Sequence, residues 1–454
     1  MVNRPATDFK HPYLKDLPHR QAWNMAWPMI LSNISSPLMG VADTAMLGHL
    51  DSALYLGAVA IGANILAFLF WGFAFLRMGT TSFTGRALGA DQPAHLQLQL
   101  GQSLVLAVVS GAALIALQWL IVPIAISLMA PNPEIAELAS RYCHIRMSAA
   151  PAVLVGYVMI GLLIGLQNTR LPLVITVASN LLNIVLDYAF IVVFDWKSDG
   201  AAYASLIAEL SAGALAVWMG LYALKRHFGT QLAWPSLSQL FNTQGWMALL
   251  KLNGDLFVRT SLLLFIFNFF TAQSGQLGPD ILAANAILMQ LVLFQSFGLD
   301  GYAHAVEAMG ARALGAKDYP GFFKACAASA TAALVMALMV AAVLAGIQTP
   351  LVAMFTDISE VALQVNTYYH WLIIIPLVSV WTYLFDGIFI GAGKTRIMLL
   401  TMLIAVFCGF LPLWWYSRPW GNNGLWLSFI IFNAIRGASL GRAFYTLSAR
   451  DKWF

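Results

Sequence analysis

Two aspartates, Asp43 and Asp187, stand inside long apolar runs of this sequence, where an ionised side chain costs on the order of 3 kcal/mol. Asn180, Asn183 and Asp187 are spaced by three and four residues, which places them on one face of a helix. Counting residues from the ends of each run puts Tyr142, Arg146, Tyr203 and Ser205 at about the same depth as the two acids. A carboxyl group in a low-dielectric setting takes up a proton closer to neutral pH, and a second carboxylate beside it reinforces this. A cation entering between the two acids would favour the ionised pair. Proton and cation would then compete for the same charge, which is the thermodynamic core of antiport. The residues also admit a second reading, in which the acids are neutralised by Arg146 or by hydrogen bonds and act only as glue between helices.

The elements that position these groups are membrane helices. Of 454 residues, 60% are hydrophobic and only 10% charged, against about 25% charged in soluble domains. Runs of about 20 apolar residues span a bilayer. Twelve such runs fall at 21–48, 55–80, 96–125, 137–165, 171–194, 201–224, 246–273, 280–306, 322–346, 361–391, 397–416 and 424–445. The expected fold is an all-α polytopic membrane protein. With the N-terminus inside, the inner segments carry seventeen Lys and Arg and the outer ones three, Arg141, Lys197 and Arg418. This bias predicts that both termini are cytoplasmic. The first twenty residues contain no apolar run, so no cleavable signal peptide is expected.

The chain repeats. Gly85-Arg86-Ala87-Leu88-Gly89-Ala90 returns as Ala311-Arg312-Ala313-Leu314-Gly315-Ala316, an offset of 312 − 86 = 226 residues. Gly161 through Gly165 and Thr169-Arg170 match Gly387 through Gly391 and Thr395-Arg396 at the same offset. Six spans per half make the repeats parallel, a known transporter architecture. The expected units are a six-helix lobe at 1–227, a cytoplasmic linker at 228–245 and a second six-helix lobe at 246–454. At this offset Asn183 becomes Gly409, Asp187 becomes Leu413 and Arg146 becomes Leu372, while Tyr142 is kept as Tyr368. Only the first half has the acids, which favours chemistry over a structural need.

Cys143, Cys326 and Cys408 lie far apart and suggest neither bridges nor a metal site. No catalytic triad spacing is present, so an enzyme is not expected. Gly391-Ala-Gly-Lys394-Thr395 imitates the end of a phosphate loop, but Ile388 stands where that motif needs glycine, so no nucleotide is expected. The net charge of +4 reflects the loop bias and does not call for nucleic acid. Ser36, Met39, Tyr142, Arg146 and Asn180 are candidates for the wall of a substrate cavity, the methionine supplying an adaptable surface. Pro28 and Pro37 each remove a backbone hydrogen bond from the first span. They either let it bend, moving Asp43 relative to Asp187, or kink it statically. Asp255 and Arg259, one turn apart, form a pair by spacing. With Asp300, His304 and Glu307 they read as a structural or gating network.

Pro28-Met-Ile-Leu-Ser-Asn33, Val41-Ala-Asp43-Thr44 and Asn183-Ile-Val-Leu-Asp187 resemble the first and fifth helices of the multidrug and toxic compound extrusion (MATE) family. The DinF-like branch is the nearer likeness, through Gly48-His-Leu-Asp51, Leu252-Asn-Gly-Asp255 with Arg259, Leu299-Asp-Gly301 to Val306-Glu307-Ala308, Leu384-Phe-Asp386-Gly387 and Trp453-Phe454. The resemblance covers nearly the whole chain. It implies twelve helices in two lobes with alternating access. It also implies export of lipophilic organic cations and other amphiphiles from a monomer in a bacterial inner membrane, among membrane lipids. By position, Asp43 corresponds to the coupling acid, Asn183 and Asp187 to its partners, Ser205 to a family threonine and Pro28 to the bend. No cofactor is implied; a proton gradient drives the cycle. A sodium ion at Asp43, Asn183, Asp187 and Ser205 is the alternative, and a lipid or glycolipid flippase of the same superfamily is another. Asp255 and Asp386 lie on the helices that carry second-lobe sodium ligands in relatives but not at those positions, which favours protons.

Overall fold

The computed structural model describes residues 16–50, 52–129, 132–229, 235–241 and 243–453. The expectations placed on residues 1–15, Asp51, part of the linker (230–234 and Asn242) and Phe454 lie outside the described residues. Those described fold into helices and connecting turns, with no strand among them. In order they are α1 (His19–Leu47), α2 (Ala53–Trp71), α3 (Phe75–Gly89), α4 (Pro93–Met129), α5 (Pro133–Met147), α6 (Ala150–Gly165), α7 (Arg170–Asp187), α8 (Lys197–Phe228) and α9 (Leu237–Leu240). The second half continues with α10 (Thr243–Gln276), α11 (Pro279–Gly315), α12 (Tyr319–Gly346), α13 (Gln348–Phe355), α14 (Ser359–Gly391), α15 (Thr395–Ile404), α16 (Leu411–Ser417) and α17 (Asn422–Ala449). Wider π turns extend α7 over Tyr188–Val193 and join α15 to α16 over Ala405–Phe410.

Among the described residues, ten helical stretches are long and apolar enough to cross a membrane. An eleventh is the pair α5 and α6, read from sequence as one span but bent by 53°. Pro151, in the first turn of α6, lacks the N–H that would carry the helix smoothly through Ser148 and Ala149. The 29-residue α1 is long enough to span, but Ser32, Asn33, Ser35, Ser36, Asp43 and Thr44 dilute its apolar character. With α1 as the twelfth, the arrangement fits the expected architecture. α1 stays helical through both Pro28 and Pro37, and Pro28 is buried.

The chain divides into two compact units, one of Leu31–Asn253, the other of Met1–Ile30 with Gly254–Phe454. Both divisions fall inside helices, α1 and α10. In the first unit the linker helix α9 is held against α4: Gln102 Nε2 donates to the Leu240 carbonyl at 3.2 Å and Trp246 Nε1 donates to the same oxygen at 2.7 Å.

The repeat is visible as equivalent packing. A side chain at Gly161 would strike the Arg77 carbonyl, and one at Gly387 the Ala303 carbonyl; Gly165 and Gly391 stand likewise against the carbonyls of Thr81 and Glu307. All four contacts obey the 226-residue offset. In each half, paired glycines let one helix approach another backbone to backbone. A Gly161→Ala variant is therefore expected to lose about 3 kcal/mol. Gly156→Ala, on the same helix but with open space around it, should match the wild type. Unfolding midpoints in detergent check the contrast.

Candidate functional site

Helices α1 and α7 run side by side in the first unit, joined by polar contacts in one register. Ser32 Oγ donates to Thr176 Oγ1 at 2.9 Å, a separation of 144 residues. Asn180 Nδ2 donates to Ser35 Oγ at 3.0 Å, a separation of 145. Asp43 and Asp187 keep the same register, and their carboxyl groups stand within hydrogen-bonding reach of each other. The sequence has interrupted two apolar helices with serine, threonine, asparagine and aspartate along one seam, and the seam ends in the acid pair.

The pair is starved of donors. Asp43 Oδ1, both carboxyl oxygens of Asp187 and the Asn183 amide oxygen are buried and accept no hydrogen bond from the protein. Asn183 and Asp187 are 1% and 0% exposed. Asn183 Nδ2 donates to Ser205 Oγ on α8 at 3.4 Å, while its oxygen is left without a partner. Contact between two carboxyl groups becomes a hydrogen bond only when one carries a proton. Otherwise a cation must neutralise them, since an unpaired buried charge is strongly disfavoured. The arrangement can therefore hold a proton or a cation, and it offers oxygens to either.

Arg146 is not the acids' partner. It forms an ion pair with Glu209 on α8, and its Nη1 donates to the Tyr142 hydroxyl at 2.9 Å. The reading in which Arg146 neutralises the acids by direct contact is thus corrected, although its charge acts on both of them. Glu209 escapes a depth count confined to the first turn of its span, yet it lies four residues after Ser205 and so shares its helix face. Tyr142 does not line an open wall. It is 2% exposed, and its ring lies against Gly62, where no Cβ could fit. Of the other wall candidates, Met39 is half-buried and Ser36 exposed. The serine that meets Asn180 is Ser35. Tyr203 is exposed at 42%.

In the second unit the predicted Asp255–Arg259 pair does not form. Arg259 reaches across to Asp386 on α14, and Arg436 Nη2 on α17 meets the same carboxyl oxygen at 2.8 Å. Asp255 instead accepts from Thr395 Oγ1 at 3.3 Å and Arg396 Nη1 at 3.4 Å. Geometry across α10, α14 and α17 outweighs proximity along one helix. His304 Nδ1 lies 3.3 Å from Glu307 Oε2, and Tyr383 sits among Asp300, Arg436 and Asp386. Asp386 with Arg259 and Arg436 ties α10, α14 and α17 together, whereas His304 and Glu307 pair within α11.

The MatE family profile matches residues 28–189 and 256–415. The chain is 38% identical over 437 residues to the DNA damage-inducible protein F of Escherichia coli, covering 95% of this chain and 93% of that protein. It is 30% identical over 175 residues to a probable multidrug resistance protein NorM of Thermotoga maritima, about a third of each chain (37% and 36%). The fold superposes on an outward-facing multidrug resistance MATE family transporter with a TM-score of 0.84 at 18% identity, over 97% of both chains. A mutant form of the Vibrio cholerae MATE transporter VcmN gives 0.83 at 23% identity over 96% of this chain and 97% of that one.

Proposed function

We propose, on the premise that this chain belongs to the MATE family of membrane transporters, that it is a proton-coupled efflux antiporter for lipophilic organic cations and related amphiphiles. It is a multi-pass membrane transporter and not an enzyme. The observation that carries the coupling reading is the Asp43–Asp187 pair, two carboxyl groups in mutual reach whose buried oxygens receive no donor from the protein. One shared proton satisfies the pair in the absence of substrate. An arriving cation displaces that proton, and alternating access carries each ion in its own direction. Asn183 and Ser205 set the position of Asp187, and the α1–α7 seam sets that of Asp43. We place the protein in a bacterial inner membrane with both termini in the cytoplasm, in keeping with the loop charges.

The test is transport in liposomes under an imposed pH gradient without sodium, following a fluorescent lipophilic cation. The wild type is expected to transport and Asp43→Asn to fail, with folding unchanged. Equal transport by both would remove Asp43 from the coupling role. Wild-type transport that appears only when sodium is added would assign the oxygens of Asp43, Asn183, Asp187 and Ser205 to that ion. Transport under neither ion would favour a flippase.

A further inference from the structure

The ion pair of Arg146 with Glu209 has no role in the cycle just described. Both groups are largely enclosed, with side chains 13% and 20% exposed. Neither is saturated: Arg146 Nε and Glu209 Oε2 are buried without a partner, although a guanidinium has five N–H donors. The guanidinium carbon lies 5.5 Å from the centre of the Tyr142 ring. Its charge reaches Asp43 and Asp187, and Glu209 acts on the neighbouring Tyr142 and Tyr157.

The repeat shows what a merely mechanical brace would need here. At the 226-residue offset Arg146 becomes Leu372 and Glu209 becomes Ile435. Leu372 is wholly buried in the apolar core of the second unit and Ile435 packs against that core. Hydrocarbon fills these two equivalent positions, and the ion pair that joins the same two helices, Arg436 with Asp386, stands at others. The Arg–Glu pair occurs only in the half that carries the two aspartates, and both members are absent together from the other half. Replacing a buried ion pair by hydrocarbon is often neutral or stabilising, so stability alone does not account for the pair.

We infer that Arg146 is a tethered counter-cation for Asp43 and Asp187, and that Glu209 is the positioning residue that keeps it off them. The inference rests on the proposed cation site and adds a third claimant to it. Once the acids lose their proton, an organic monocation and the Arg146 guanidinium both seek the same oxygens. Glu209 and the Tyr142 hydroxyl hold Arg146 back, leaving the site open to the substrate. A freed Arg146 would neutralise the acids itself and act as a competitive occupant that cannot leave.

The experiment measures binding of tetraphenylphosphonium to the purified full-length protein in detergent at one fixed alkaline pH, alongside unfolding midpoints. Glu209→Gln is expected to weaken binding about tenfold. Adding Arg146→Leu to that variant should recover most of the loss, because the competing cation is gone. Arg146→Leu alone should bind at least as tightly as the wild type, which keeps the test decisive if Glu209→Gln is recovered unfolded. Unchanged binding in Glu209→Gln, no recovery in the double variant or weaker binding in Arg146→Leu each overturns the inference. Loss of binding in Asp43→Asn while Glu209→Gln still binds normally removes this inference and leaves the cation site standing. A wild type that ignores the probe removes both.

Discussion

Asp187→Leu is expected to lower gradient-driven cation transport about a hundredfold while raising the unfolding midpoint. The two effects have one cause. Asp187 is wholly buried and neither of its carboxyl oxygens has a protein donor. Even with the shared proton bridging to Asp43, one Asp187 oxygen stays without a donor; an unsatisfied buried polar group costs about 1–3 kcal/mol, and the leucine relieves that cost. The second half already has a leucine, Leu413, at the equivalent position. The same substitution deletes one of the two acids that share a proton, so coupling fails as stability improves. Transport in liposomes and thermal unfolding of the same preparation provide the check. A midpoint several degrees below the wild type would show that Asp187 is held by contacts that stabilise the fold, and the pair would then be glue.

Asp386→Ala should act in the opposite sense, destabilising by about 3–5 kcal/mol. Arg259 and Arg436 both converge on one oxygen of Asp386, and all three side chains are at most 12% exposed. Removing the carboxylate leaves two guanidiniums side by side in an apolar setting. Arg436 retains the face of Phe432, 5.2 Å away, but that ring bears no charge. Adding Arg436→Leu to Asp386→Ala should recover part of the loss, since one of the stranded charges is removed and the first half has Leu210 at the equivalent position. Unfolding midpoints of the three proteins measure both steps. An Asp386→Ala protein as stable as the wild type would mean that the two arginines find other acceptors.

Most of the architecture is legible in the sequence because membrane spans are written in hydropathy, which is local. The matching glycine pairs, Gly161 with Gly165 and Gly387 with Gly391, announce two similar halves without any knowledge of packing. The break between α5 and α6 is harder to read, since Arg141, His144 and Arg146 interrupt the apolar character before it and only Pro151 marks the bend. The acid site is legible through depth counting: Asp43 and Asp187 do meet, and Asn183 does meet Ser205. Partners far apart in sequence are not. Arg259 lies 127 residues from Asp386, whereas Asp255 is one turn away, and the one-turn rule picks the wrong partner. Ser36, a candidate for the cavity wall, is exposed, and the bond to Asn180 is made by its neighbour Ser35, about a quarter of a turn round the helix. Glu209 sits one turn beyond the layer that a depth count selects, although its spacing from Ser205 is there to be read.

The wide π turns that follow Asp187 have a consequence for how this helix tolerates changes in length. Over Tyr188–Val193 the hydrogen bonds close larger loops than in an α-helix, as in the bond from the Phe194 N–H to the Ala189 carbonyl at 2.9 Å. Such a stretch accommodates an extra residue. Losing one there lets the segment tighten into ordinary α turns, with everything up to Asp187 left in place. The same deletion between Arg170 and Asp187 would swing the acid by roughly 100° about the helix axis, away from Asp43. The C-terminal end of the helix can thus absorb an insertion or deletion that the stretch before Asp187 cannot, and the chain's capacity for change begins one residue beyond its most constrained position.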